Sequence, residues 1–166
     1  MDAKIIERMT KPLKPGDDFY FLGDLGEAES SLQRFFDSLP RKVKFYWILG
    51  NHDRPKTIDK FRKYCHFVGD MYETKLVVDA AEKGKPRQPI TLCHYPMITW
   101  NKSHYGAWQL YGHHHIASWK YQEIPERARG KQLNVNCEFF GYEPIDENYL
   151  IEIMKTKPQN WDFMPR

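Results

Sequence analysis

Four short polar signatures each close an apolar run, and between them they hold the residues able to do chemistry. They are Gly23-Asp24, Gly50-Asn51-His52-Asp53, His94-Tyr95-Pro96 and Gly112-His113-His114-His115. The yield is a carboxylate at Asp24, an amide oxygen at Asn51 and imidazoles at His94, His113 and His115. A mixed imidazole and oxygen set suits manganese, iron, cobalt, nickel or zinc. It differs from the all-oxygen cage that calcium takes. If the backbone stays extended through the histidine triplet, alternate side chains share a face. His113 and His115 then point together and His114 points away. The expectation to test is that all four signatures meet at one metal site.

The elements that must position these residues alternate between helix and strand. Ile5, Ile6, Met9 and Leu13 recur at helical spacing and predict a helix over 3–13, which Pro12 and Pro15-Gly16 end. Residues 19–22 read as a buried strand. A helix follows over 28–39, where Leu32, Phe35, Phe36 and Leu39 trace one face. Residues 43–49 form the next strand, and the connection is long enough for a parallel crossover. Continuous apolar strands suit a sheet covered on both faces, and ligands in such folds gather at the carboxyl ends of the strands. Asp24 and Asn51 hold that position in successive strands. A short helix over 57–64 comes next, then strands at 66–68 and 72–78, a hairpin loop at 79–88 and a strand at 90–93. A loop carries Trp100 and Asn101, and further strands are predicted at 108–111, 133–137 and 149–154. The polar segment 155–166 reads as a tail after a single domain over 1–154.

With 166 residues, 41% hydrophobic and 15% aromatic, the chain is long and apolar enough for one packed domain. No stretch has the length of a membrane helix, and Met1-Asp2-Ala3-Lys4 opens on no apolar signal segment. Three cysteines without C-x-x-C spacing argue against a disulfide framework and a zinc ribbon. A cytoplasmic protein with reduced thiols is expected. A net charge of +3 is too mild to imply nucleic-acid binding, though it would not repel an anionic substrate.

In this order the motifs Gly23-Asp24, Gly50-Asn51-His52-Asp53, His94 and Gly112-His113-x-His115 resemble those of the calcineurin-like metallophosphoesterases. The likeness runs through about residues 1–150. From His94-Tyr95-Pro96-Met97 to Gly112-His113 it is nearest to small bacterial and phage members. The resemblance implies an α/β fold, a four-layer αββα sandwich of two mixed β-sheets flanked by helices, with a two-metal site at the strand ends. Asp24 would bridge both ions. Asn51, His94 and His113 would bind one of them, and His115 would help bind the other. His52 would donate a hydrogen bond or proton to the reacting phosphate, with Asp53 orienting it. The ions would be divalent, manganese foremost, with iron, zinc, nickel or cobalt as other candidates. Two metals about 3.5–4 Å apart can share a hydroxide and clamp phosphate oxygens in an in-line displacement. Histidine titrates near neutrality, as a general acid for the leaving oxygen should. The implied reaction is hydrolysis of a phosphomonoester or phosphodiester by a metal-bound hydroxide, on a small molecule, nucleotide or nucleic acid.

The family opens on an Asp-x-His motif after its first strand, and none precedes Asp24 here. The recorded start falls too late, or the chain is short and holds the second metal weakly or not at all, or a partner chain supplies the strand. Without that strand, a rearranged sheet, a homo-oligomer or a docked tail carrying Trp161 and Phe163 is expected. The competing function is a non-catalytic or weakly active metal- or phosphate-binding module. Simpler roles also compete at single positions: a helix cap for Asp24 or Asp53, a turn for Asn51 and a packed strand end for His94. Tyr95, Trp100 and Asn101 are candidates to line a substrate pocket, against packing of their loop on the core. His66, His104 and the Arg127–Lys131 cluster read as surface groups.

Overall fold

The computed structural model describes residues 1–78, 87–115 and 130–160. The chain opens on helix α1 (Ala3–Thr10), with Asp2 as N-cap accepting from the Lys4 amide at 2.7 Å. Strand β1 (Asp18–Leu22), helix α2 (Glu29–Ser38), strand β2 (Lys44–Ile48) and helix α3 (Pro55–Phe61) follow. Pro55 sits in the first turn of α3, where its missing N–H is harmless. Strand β3 (Phe67–Gly69) completes a parallel sheet of order β1-β2-β3. Strands β4 (Met71–Leu76), β5 (Gln88–Cys93), β6 (Trp108–Tyr111) and β7 (Gln132–Asn134) form a second, mixed sheet in that order. β4 and β5 pair antiparallel, and β5, β6 and β7 run parallel.

The period of two in β1 and β2 divides their side chains between two cores. Phe19, Phe45 and Trp47 join Ile6 and Met9 of α1, Leu32, Phe35 and Phe36 of α2 and Phe61 of α3. Leu22, Tyr46 and Ile48, on the other face, join Ile90 and Leu92 of β5 and Trp108 and Leu110 of β6. The result is the expected two-sheet α/β sandwich with flanking helices. Both sheets direct the carboxyl ends of β1, β2, β5 and β6 toward one another, and the four signatures begin there.

One predicted element is wrong in kind. Residues 149–154 are not a strand but part of helix α4 (Glu147–Thr156). Asp146 caps it, accepting from the Asn148 and Tyr149 amides at 2.9 and 3.0 Å, and Glu147 adds an acidic first turn. Leu150, Ile151 and Met154 fall on one helical face and enter the second core. Lys131 donates its Nζ to the Met154 and Lys157 carbonyls, satisfying the exposed end of α4. That lysine therefore has a structural task. Arg127 and Arg129 lie outside the described residues, as do Trp161, Phe163 and most of the predicted 79–88 loop. The predicted strand at 133–137 is shorter, because Cys137–Phe140 is a 3-10 turn.

Cys65, Cys93 and Cys137 are free thiols. Burial pushes Cys65 up to about 12 and Cys137 to about 11, which leaves both protonated and inert. Among the described residues no helix is long and apolar enough to cross a membrane.

Candidate functional site

Four of the five predicted ligands sit just past a strand's carboxyl end: Asp24 after β1, Asn51 after β2, His94 after β5 and His113 after β6. The ends come so close that side chains are excluded at two positions. A Cβ on Gly23 would lie 2.3 Å from His94 Nδ1, and one on Gly50 2.3 Å from Asp24 Oδ1. Asp24 itself has φ +59°, a left-handed conformation that non-glycine residues seldom adopt and that short polar side chains adopt more readily than most. Such strain, about 1–3 kcal/mol, persists where surrounding bonds over-determine it.

Asp53 supplies those bonds. Its Oδ2 accepts from the Asp24 amide at 2.9 Å, the Gly50 amide at 2.8 Å and Trp47 Nε1 at 3.1 Å, and its Oδ1 accepts from the Leu25 amide at 3.1 Å. One carboxylate thus ties the β1 end to the β2 end and satisfies the fully buried Trp47 indole. Neither sequence-based role for Asp53 matches this. Among the described residues its bonds go to these four donors and not to the His52 ring. It does not cap α3, whose N-cap is Arg54 without a side-chain bond. Nor does Asp24 cap α2, where Ala28 holds that position.

His94 joins the two sheets. It is 2% exposed, and its Nδ1 lies 2.7 Å from the Leu22 carbonyl, which can only accept. Nδ1 therefore carries a proton, and in the neutral form of the ring Nε2 presents a lone pair. Nε2 faces Asn51 Oδ1 at 3.1 Å, His113 Nδ1 at 3.0 Å and Asp24 Oδ2 at 3.4 Å. Gly112 and His113 both donate their amides to the His94 carbonyl at 3.0 Å, and this fixes the second imidazole. Burial, then the neighbouring His94 and His114, lower the proton affinity of His113, against the opposing pull of Asp24. A carboxylate oxygen, an amide oxygen and two imidazoles meet in a space with few donors to satisfy them.

Among the described residues, no three His, Cys, Asp or Glu side chains are arranged as a ready metal cage. The fourth member here is an amide, and the other three atoms each lie within 3.4 Å of His94 Nε2. Their chemistry still fits a cation. Two ligand atoms at right angles on an ion with ~2.1 Å bonds lie about 3 Å apart, close to the separations of 3.0, 3.1 and 3.4 Å found here.

The other predicted residues spread out. His52 is exposed beside Asp24, its amide donating to Asp24 Oδ1 at 2.8 Å. His115 bonds through Nδ1 to Glu138 Oε1 at 3.0 Å, and none of its bonds goes to the four converging donors. The triplet has left the strand at Tyr111, so strand alternation does not decide where its rings point. Tyr95 packs its ring on His94 and His113, with centroids 4.9 and 4.8 Å away. Trp100 and Asn101 are tied elsewhere, Trp100 Nε1 to the Ala107 carbonyl and Asn101 Nδ2 to Glu73 of β4. His66 packs on Tyr46, and His104 on Tyr105.

Two buried glutamines escaped the sequence reading. Gln109 Nε2 donates to the Tyr95 carbonyl at 2.9 Å, and Gln132 Nε2 donates to Gln109 Oε1 at 2.7 Å and to the Met97 carbonyl. They hold the 95–97 turn that follows His94. Gln109, a polar side chain inside the apolar run Trp108–Tyr111, was the available signal, whereas Gln132 opens the short polar strand β7 and carried none.

A family model described as calcineurin-like phosphoesterase matches residues 3–155. No curated protein and no solved structure matches the chain.

Asp53→Asn places an NH2 among N–H donors and should cost about 1–3 kcal/mol, read as a lower urea midpoint; an unchanged midpoint would contradict the junction. The His113 imidazole should titrate below 6.5 in a proton NMR titration. Because its folded value is depressed, the unfolded chain binds the extra proton. His113's share of stability is then present above about 6.5 and lost as pH falls below it. A midpoint at or above 6.5 would contradict the burial.

Proposed function

The chain belongs to the calcineurin-like phosphoesterases, and on that footing we propose that it hydrolyses a phosphomonoester or phosphodiester using two divalent metal ions. The observation that carries this reading is the meeting of Asp24 Oδ2, Asn51 Oδ1 and His113 Nδ1 around the lone pair of His94. These four residues would hold one ion, and manganese suits their oxygen and imidazole donors. Asp24 would share its carboxylate with the second ion, to which His115 would offer an imidazole. When bound, such a pair neutralises phosphate charge and supplies a nucleophile from water near neutral pH.

The protein's own part is positioning and proton delivery. Asp53 holds Asp24 and Gly50 in place. His94 keeps its proton on the Leu22 side, so Nε2 faces the centre. The exposed His52, beside Asp24, would protonate the leaving oxygen. Tyr95 is 45% exposed and lies against both histidines, so it would line the ester group. Of the three loop residues, it alone reaches this centre.

The test is turnover of p-nitrophenyl phosphate and of its bis ester with added manganese. Asp24→Asn and His113→Ala should each lower kcat/KM by ~10²-fold or more. His52→Ala should lower it about 10²–10⁴-fold with metal binding retained. Asn101→Ala, bonded to β4, should stay within about twofold of the parent. Tight metal binding with no turnover on any ester would favour a binding module instead.

A further inference from the structure

We propose that Glu138 is a positioning residue for His115, holding the imidazole as its Nδ1–H tautomer so that Nε2 is offered as a lone pair to a divalent cation. The inference rests on the phosphoesterase reading above. His115 Nδ1 lies 3.0 Å from Glu138 Oε1. An ionised carboxylate only accepts, so Nδ1 carries the hydrogen, and in the neutral form of the ring Nε2 is the nitrogen left bare.

The pairing is built by backbone stitching rather than by strand or helix register. Asn134, the last residue of β7, donates its Nδ2 to the His114 carbonyl at 2.9 Å, and its Oδ1 accepts the Asn136 amide at 3.0 Å. Asn136 repeats the arrangement, donating to the same carbonyl at 3.2 Å and accepting the Glu138 amide at 3.0 Å. Two asparagines therefore clamp the 114–115 backbone against the start of the 3-10 turn that carries Glu138. The side chains of His115 and Glu138 are 50% and 29% exposed. An ion pair this open to water contributes little to stability by itself.

His94 shows the same device one strand away, with its Nδ1–H given to the Leu22 carbonyl and Nε2 turned to the centre. The two differ in their acceptor. That of His94 is backbone and cannot be exchanged, whereas that of His115 is a side chain that substitution removes. Outer carboxylates of this kind fix ring orientation and raise ligand basicity, and their loss weakens metal binding about 10–100-fold.

The experiment uses the full chain. Long-range ¹H–¹⁵N spectra of the metal-free protein report the His115 tautomer, and manganese(II) titration by calorimetry reports affinity at each site. The parent should hold His115 as Nδ1–H. Glu138→Ala should move it toward the Nε2–H form that free histidine favours and weaken one manganese site about 10–100-fold. Glu138→Gln keeps an acceptor oxygen and should retain most of both properties; it also serves if the alanine variant fails to fold. Activity lost in Glu138→Ala should return at saturating manganese. An unchanged tautomer, or a changed tautomer with unchanged affinity, would overturn the inference alone. A parent that binds no manganese would overturn the phosphoesterase reading together with it.

Discussion

The hydrogen bond from His94 Nδ1 to the Leu22 carbonyl is the contact on which the site depends. It runs between sheets, from the end of β5 to the end of β1, at 2.7 Å. That distance is possible because Gly23 has no Cβ to meet the ring. The bond settles three matters together. It sets how closely the sheets approach, which imidazole nitrogen carries the proton, and which way Nε2 faces. On its other side the ring faces Asp24 Oδ2, Asn51 Oδ1 and His113 Nδ1, and the two oxygens have no proton to give it.

Asp53 is the second support, placed beneath the β1 and β2 ends. Four donors share its carboxylate, among them the amide of Asp24, whose backbone is left-handed. Strain at a non-glycine residue marks a place where position matters more than local ease. Asp24 is one of four such residues among those described, and it is the one whose carboxylate meets the histidine pair. The frame is also fastened away from the ligands. The buried Gln109 and Gln132 secure the turn after His94, and the two asparagines secure the turn after His114. Each fastening uses a side-chain amide, which can donate and accept at once and so bond two backbone segments.

Much of this was legible in the sequence. Asp24, Asn51 and His94 each follow an apolar run within two residues of its end, and in a sheet such residues must gather at the strand ends. Helices α1, α2 and α3 carry clear apolar faces. The α4 segment was misread because 149–154 is almost wholly apolar, and a short apolar run does not separate helix from strand. Asp146 and Glu147 just before it were the missed signal. The task of Asp53 was hidden for a different reason: its partners are mostly backbone amides, which carry no sequence signature. His113 and His115 were expected to point together on strand alternation, but the chain leaves the strand at Tyr111. Backbone bonds to the His94 carbonyl place one ring and Glu138 engages the other. Trp100 and Asn101 were grouped with Tyr95 by position in one loop, whereas their bonds direct them to Ala107 and Glu73.

The central claim is that Asp24, Asn51, His94 and His113 hold one metal ion. Anomalous diffraction from crystals of the full chain grown with manganese tests it most directly. The account predicts a strong peak with about 2.0–2.3 Å contacts to Asp24 Oδ2, Asn51 Oδ1, His94 Nε2 and His113 Nδ1. No peak there, or manganese bound only elsewhere on the protein, would contradict it.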